Sequence, residues 1–281
     1  MSTICKIDTI LTAQPTRDGA GVKLNRVFGF YEKGLMDPFL LLDFFGSDNP
    51  ADFMAGFPWH PHRGIETVTY MLEGSVEHGD SMGNSGVIHS GDIQWMTAGS
   101  GIIHQEMPKS TGGPMYGFQL WVNLPASQKM MPPRYQEIKA EEIRSVKPGE
   151  GITVKVVAGE FMTVKGPVKD IVADPEYFDI SVSPGKHLLF NVKPEHTLFA
   201  FVFKGEADFG GDSKPVKTGQ LAKFRDGDQV SVTAGADEVR FLLVSGKPLH
   251  EPIAWGGPIV MNTEEEINLA FKEYREGTFI R

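Results

Sequence analysis

Hydrophobic and polar residues alternate along several short stretches in the first half of the chain. The clearest are residues 67–72, 93–96 and 118–124, and each is followed within three residues by glycine or proline. The second half has similar stretches at residues 199–203 and 240–244. This alternation predicts β-strands joined by tight turns, which is typical of an all-β barrel or sandwich.

One stretch near the C-terminus predicts a helix instead. Residues 263–274 carry an apolar stripe on one helical face, formed by Ile267, Ala270, Phe271 and Tyr274. Thr263 can cap the first turn, and three glutamates follow it at the positive end of the helix dipole. We therefore expect a C-terminal helix added to an all-β fold.

The strand pattern also contains a weak internal repeat. A strand ending in glycine, a polar turn and a Thr-Ala-Gly sequence recur in the same order at residues 69–74, 90–92 and 97–99, and again at 201–205, 218–220 and 233–235. The repeat predicts two tandem copies of one small barrel. We place the first barrel at residues 1–130, a connector rich in proline and charge at 131–150, and the second barrel at 151–281, ending in the helix.

Composition narrows the partners and the cellular compartment that fit this chain. The net charge is −9 and no basic face is visible, which disfavours direct contact with nucleic acid. The single cysteine, Cys5, suits a reducing compartment. No signal-peptide pattern is present, and the longest apolar run, residues 39–45, is too short for a membrane span. We expect a cytoplasmic protein, present also in the nucleus if the source is eukaryotic.

Two short motifs carry candidate metal chemistry. His60 and His62 are two residues apart, as are His104 and Glu106, and residues at that spacing on a strand point to the same face. Three imidazole nitrogens and one carboxylate suit Fe, Mn, Co, Ni, Cu or Zn. The sequence predicts one mononuclear divalent transition-metal site. Glu66 shares strand parity with His60 and His62, so it stays open as the carboxylate.

Four longer motifs surround these residues, at 36–43, 57–68, 91–108 and 257–263. Through them the chain resembles the pirin family of the cupin superfamily, over nearly its whole length. The resemblance implies two cupin barrels of the double-stranded β-helix, or jelly-roll, type. It also implies a metal, usually iron as Fe(II), in the first barrel only, held by His60, His62, His104 and Glu106. Glu66 is then expected not to bind the metal itself but to orient one of its ligands or Arg63.

The resemblance implies two functions. One is a quercetin 2,3-dioxygenase, which opens a flavonol ring with O₂ and releases carbon monoxide, with Glu106 as a ligand or as the general base. The alternative is a non-catalytic, iron-dependent regulator that binds a transcription factor or a metabolic enzyme. A third hypothesis is a cupin that binds a small metabolite without turnover.

The remaining histidines and several large apolar residues have smaller expected roles. We expect His78 and His89 to lie in loops, and His187, His196 and His250 to be surface or hydrogen-bonded residues. Candidates for the wall of an apolar pocket beside the metal are Phe53, Phe57, Met71, Trp95 and Met107.

Overall fold

The computed structural model of the protein describes residues 2–109, 113–210 and 214–281. The strands of the first part of the chain are β1 (Lys6–Thr12), β2 (Gln14–Asp18), β3 (Val22–Phe28), β4 (Phe39–Ser47), β5 (Phe57–His62), β6 (Ile65–Glu73), β7 (Ser75–Asp80), β8 (Ser85–His89), β9 (Ile93–Thr97), β10 (Ile102–Pro108), β11 (Met115–Asn123), β12 (Arg134–Ile138) and β13 (Arg144–Val146).

The strands that follow are β14 (Ile152–Ala158), β15 (Glu160–Phe161), β16 (Val164–Lys165), β17 (Glu176–Val182), β18 (His187–Asn191), β19 (Thr197–Lys204), β20 (Glu206–Phe209), β21 (Val216–Lys217), β22 (Gln220–Arg225), β23 (Gln229–Ala234), β24 (Val239–Gly246), β25 (Ala254–Gly256) and β26 (Ile259–Met261). The α-helix α1 spans Glu264–Glu276, and short 3-10 turns span Phe30–Glu32, Pro50–Asp52, Ala126–Gln128 and Ala140–Glu142.

The chain divides into two compact units. The first barrel unit joins Gln14–Ala140 with Leu249–Arg281. The second barrel unit joins the start of the chain, up to Ala13, with Glu141–Pro248. This division differs from the predicted boundaries, because each unit takes a terminal segment from the opposite end of the chain. The helix expected to close the second barrel packs instead in the first.

The described strands of the two units follow one plan. In the first barrel unit a larger sheet has the order β12-β9-β6-β11-β4-β3-β2 and faces a smaller one, β5-β10-β7-β8. In the second unit the orders are β1-β22-β19-β24-β17-β14-β13 and β18-β23-β20-β21. Position by position the two orders correspond, and all of these pairings are antiparallel. The predicted tandem repeat of an all-β jelly-roll barrel is confirmed.

One part of the repeat was assigned wrongly. Thr97 ends β9, whereas Thr233 lies in β23, which corresponds to β10. The two Thr-Ala-Gly sequences are therefore not equivalent. The predicted connector is also more ordered than expected, since β12 pairs with β9 at one sheet edge and β13 pairs with β14 at another.

The interiors of the two units differ. The second barrel unit is filled by a large apolar cluster that includes Phe178, Phe209 and Phe241. In the first unit the apolar side chains form smaller clusters, and buried polar residues such as His62, His104 and Glu106 share the interior with them. The interior of the first unit therefore holds buried histidine and carboxylate side chains that could take part in polar chemistry.

Local sequence explains the one α-helix in the described residues. The Thr263 hydroxyl accepts a hydrogen bond from the backbone of Glu266, whose side chain accepts one in return, and Gly277 ends α1 in the left-handed conformation at φ 73°. Ile267 and Ala270 are buried. Among the described residues, no helix combines the length and apolar character that crossing a bilayer requires.

Candidate metal centre

Two neighbouring strands carry the predicted ligands. In the antiparallel pair of β5 and β10, His104 lies opposite His60 and Ile102 lies opposite His62. Because side chains alternate along a strand, this register aims the three imidazoles at one point. A bulge between His104 and Glu106 then shifts the register. Bulges of this kind redirect a side chain within a sheet.

The three imidazoles meet through their Nε2 atoms. Nε2 of His60 lies 3.1 Å from Nε2 of His62 and 2.9 Å from Nε2 of His104. Nδ1 of His60 donates to the carbonyl oxygen of Pro58 at 2.9 Å, and Nδ1 of His62 donates to that of Pro258 at 3.0 Å. A carbonyl can only accept, so the proton of each ring sits on Nδ1 and the Nε2 lone pair faces the cluster.

This arrangement fits a metal ion. Lone pairs that face each other at hydrogen-bond distance repel, and a cation bound between them would remove that repulsion. A metal with bonds of about 2.1 Å at right angles separates neighbouring ligand nitrogens by about 3.0 Å. The two Nε2 separations, 3.1 Å and 2.9 Å, match that value. Among the described residues, the group able to hold a metal is His60, His62 and His104.

Burial keeps these imidazoles neutral, as coordination requires. Desolvation lowers the pKa of His62 to about 3 and, together with the neighbouring histidines, lowers the pKa of His104 well below its ordinary value. Desolvation also lowers the pKa of His60. At neutral pH the centre presents three nitrogen donors without any loss of protons from the rings.

Glu106 lies beside the histidines but outside the group of three. Its Oε1 accepts a hydrogen bond from the Thr69 hydroxyl at 2.8 Å, and the same hydroxyl lies 2.8 Å from Oε1 of Gln119. Desolvation raises the pKa of Glu106 to about 7, against the hydrogen bond from Thr69, which lowers it. Sequence patterns did not single out Thr69 or Gln119, because their role depends on strand pairing.

Glu66, the other possible carboxylate, faces different partners. Its Oε1 accepts a hydrogen bond from the Thr97 hydroxyl at 2.7 Å and lies 3.8 Å from the Arg134 guanidinium. The cavity beside the histidines is lined by Glu106 and not by Glu66. The two carboxylates therefore have separate environments.

A cavity of about 710 Å³ opens onto His60, His62 and Glu106. Its other walls are largely apolar and aromatic, with Trp121 and Trp255 among them. Of the five predicted wall residues, Phe57 lines it, whereas Phe53 and Met71 pack in the hydrophobic core. A cavity of this size accepts a drug-sized aromatic molecule.

A half-buried ion pair forms another part of the wall. Arg26 donates to both carboxylate oxygens of Asp43, at 2.9 Å and 2.8 Å, and also to Asp18 at 2.7 Å. Desolvation raises the pKa of Asp43 to about 6, against Arg26, which lowers it. Sequence analysis missed this pair, although a signal was present: an aspartate within the apolar run at residues 39–45 needs a buried partner.

The expectation that His78 and His89 lie in loops was wrong, because both belong to strands, whereas His196 is hydrogen-bonded as expected. His78 is a buried residue of β7, with Nε2 3.3 Å from Asp80 Oδ2 and its ring stacked on Tyr135. A histidine next to Gly-Asp can end a strand as well as occupy a loop, and pairing with β8 and β10 decides between them. His89 likewise ends a strand, β8, although it is exposed. His196 is hydrogen-bonded to Ser245 at 3.2 Å.

Two jelly-roll barrels, one of which encloses a three-histidine centre compatible with a metal, define a cupin protein of the two-barrel type. Comparison with protein families narrows this class. The model of the pirin family matches residues 21–122, and the model of the pirin C-terminal cupin domain matches residues 177–280. The chain belongs to the pirin family, as its motifs predicted.

Individual relatives cover nearly the whole chain. A Pseudomonas aeruginosa protein with the provisional name quercetin 2,3-dioxygenase is 44% identical over 272 residues, 95% of each chain. A pirin-like protein of Caulobacter vibrioides is 44% identical over 96% of this chain and 97% of its own. A crystal structure of quercetin 2,3-dioxygenase from Acinetobacter baumannii superposes with a TM-score of 0.92 at 34% identity, over 99% of both chains.

Proposed function

We propose that the protein is a metal-dependent dioxygenase that opens the central ring of flavonols such as quercetin. The observation that carries this proposal is the cavity of about 710 Å³, which is lined by aromatic side chains and by His60, His62 and Glu106. The names of the Acinetobacter baumannii and Pseudomonas aeruginosa relatives support the same reaction. Both atoms of O₂ enter the product and one ring carbon leaves as carbon monoxide, so no external reductant is needed.

The proposed ligands are His60, His62 and His104, with Glu106 as the fourth. Fe(II) is our first candidate for the metal in this site, although these donors also accept Mn, Co, Ni, Cu and Zn. When bound, such a metal would supply Lewis acidity that lowers the pKa of a coordinated hydroxyl. The protein's part is to present neutral Nε2 atoms in a preformed cluster.

Glu106 is the residue we assign to proton transfer. It reaches the cavity, it is buried, and its Oε1 is held by the Thr69 hydroxyl at 2.8 Å. A buried carboxylate that lines the cavity can take the proton of the flavonol 3-hydroxyl and later return it. In a second version of the proposal, Glu106 stays bound to the metal throughout.

The walls of the cavity bind and orient the substrate. Phe57, Trp121 and Trp255 offer flat apolar faces on which aromatic rings can stack. The ring of Trp121 also packs edge-on against His62, at 5.1 Å between centroids. These side chains would keep water away from the substrate ring.

The test is anaerobic purification, metal analysis, and incubation of each metal form with quercetin and O₂ under a carbon monoxide detector. The wild type is expected to bind about one metal per chain and to release carbon monoxide, and His60→Ala is expected to do neither. His89→Ala, which changes an exposed histidine on β8, is the matched control. Glu106→Gln should reduce turnover; retention of both metal and turnover would overturn the role given to Glu106.

Stoichiometric metal without turnover in any metal form would refute the enzyme assignment. The alternative would then be a metal-dependent protein that regulates a transcription factor or a metabolic enzyme. That role would be pursued by comparing protein partners of the wild type and His60→Ala.

A further inference from the structure

The candidate metal centre depends on a part of the chain far away in sequence. Nδ1 of His62 donates to the carbonyl oxygen of Pro258, which lies 196 residues later. Pro258 belongs to the C-terminal return segment (Leu249–Arg281), the last part of the first barrel unit. His60 differs in this respect, because its Nδ1 donates to Pro58, two residues earlier on the same strand.

Arg63, the residue after His62, anchors the C-terminal return segment. The backbone N–H of Val260 donates to the Arg63 carbonyl oxygen at 3.1 Å. The Arg63 side chain is 2% exposed and donates to a Glu273 carboxylate oxygen at 2.6 Å and to the Phe279 carbonyl oxygen at 3.0 Å. A buried guanidinium that loses its carboxylate partner is costly, so this ion pair holds α1 against β5.

Lys129 is a second, independent anchor. Its buried ammonium donates to the carbonyl oxygens of Gly64 at 2.8 Å and Val260 at 2.9 Å, and to the Asn123 side chain at 2.6 Å. All three N–H groups are used. The backbones also touch directly here: Gly64 has φ +78°, and a Cβ on it would lie 2.0 Å from the Val260 carbonyl oxygen. The turn after His62 and the return segment are thus packed as one piece.

We infer that the C-terminal return segment is required for the metal centre. The carbonyl oxygen of Pro258 holds His62 in the tautomer protonated at Nδ1, which leaves Nε2 free to bind the metal. Without that acceptor the His62 proton can move to Nε2, and a protonated Nε2 cannot bind a metal. Arg63, Glu273 and Lys129 are positioning residues that keep Pro258 in place. This inference rests on the metal site proposed above, although not on the flavonol reaction.

The first test needs no metal. Long-range ¹H–¹⁵N spectra of the metal-free, full-length protein, labelled at histidine, report which ring nitrogen carries the proton. In the wild type we expect His60 and His62 both protonated at Nδ1. In Glu273→Ala we expect His62 to show mixed tautomers while His60, held by Pro58, stays unchanged. Hydrogen exchange at α1 in the same samples measures whether the return segment has been released.

The second test measures metal affinity by competition with a chelator, using Co(II) as the probe. Loss of partners that orient a ligand weakens metal binding by about 10–100-fold, and we expect a change of that size for Glu273→Ala. Glu273→Gln keeps an acceptor for Arg63 and should restore most of the affinity. Glu276→Ala changes an exposed glutamate at the end of the same helix and is the matched control.

Lys129→Met tests the other anchor, in case Glu273→Ala does not fold. Wild-type tautomers and wild-type Co(II) affinity in both variants would overturn the inference. So would a wild type in which His62 is not protonated at Nδ1. A wild type that binds Co(II) and has the expected tautomers, yet turns over no flavonol in any metal form, would refute the proposed function and leave this inference intact.

Discussion

The buried carboxylate of Glu106 leads to a prediction about stability that can be tested without substrate. In the metal-free protein, Glu106 lies 7% exposed in the cavity wall, with the Thr69 hydroxyl as its hydrogen-bond partner. Glu106→Gln keeps the shape and the acceptor oxygen of the side chain and removes its ability to ionise. We expect this substitution to stabilise the metal-free protein above neutral pH.

The size of the effect follows from the pKa. Desolvation raises the pKa of Glu106 from 4.5 to about 7 in the folded protein. Each tenfold change in proton affinity is worth about 1.4 kcal/mol. Between these two pH values the folded state keeps a proton that the unfolded state has lost, so the stability that Glu106 contributes falls as pH rises. The advantage of Glu106→Gln should grow from about 1 kcal/mol at pH 5 to about 3 kcal/mol at pH 8.

The assay is urea unfolding followed by tryptophan fluorescence, in the presence of a chelator, at several pH values. Fluorescence is well suited because the four tryptophans of the chain all lie in the first barrel unit, at positions Trp59, Trp95, Trp121 and Trp255. The signal therefore follows the unit that contains Glu106. Glu77→Gln, an exposed change on the neighbouring strand β7, is the control and should stay within about 0.5 kcal/mol of the wild type.

A constant difference between Glu106→Gln and the wild type at all pH values would refute this reasoning, since it would mean that burial does not perturb Glu106. Lower stability of the variant at pH 8 would refute it as well. Adding Co(II) should reverse the order, because a metal favours the ionised carboxylate and stabilises only the protein that binds it.

Three further predictions follow from single contacts. His60→Ala should weaken Co(II) binding at least about 100-fold in chelator competition, while the exposed His89→Ala should not change it. Gly64→Ala should destabilise the first barrel unit by at least about 2 kcal/mol in urea, because of its φ of +78° and the overlap with Val260; an unchanged midpoint would contradict the geometry. Thr263→Ala should cost about 1 kcal/mol by loss of the cap, measured in the same way, and Thr263→Ser should recover most of it.

Much of the fold could be predicted because its signals are local. The strands at β6, β9, β11, β19 and β24 were predicted from alternation, and α1 from its cap and apolar stripe. The placement of His60 and His62 on one face needs only the two-residue period of a strand. The family was predicted from long motifs, and the matches at residues 21–122 and 177–280 confirm it.

Domain boundaries were harder to predict, because a strand's sequence does not state its partner. The segment containing β12 and β13 has the proline and charge of a linker, yet these strands pair with β9 and β14. The first strand, β1, pairs with β22, more than two hundred residues later. Edge strands tolerate polar and charged residues, so composition alone cannot separate them from linkers.

By itself, the sequence determined which residues could form the centre: two pairs of candidate ligands, each at the spacing of one strand face. Only the tertiary structure decided what surrounds them. It placed Glu106 in the cavity and Glu66 against Thr97 and Arg134, and it brought Pro258 to His62. The physical reason is the separation along the chain between the residues that interact. Alternation and capping act between residues close in the chain, whereas a buried hydrogen bond across 196 residues depends on how whole sheets and their returning segments pack.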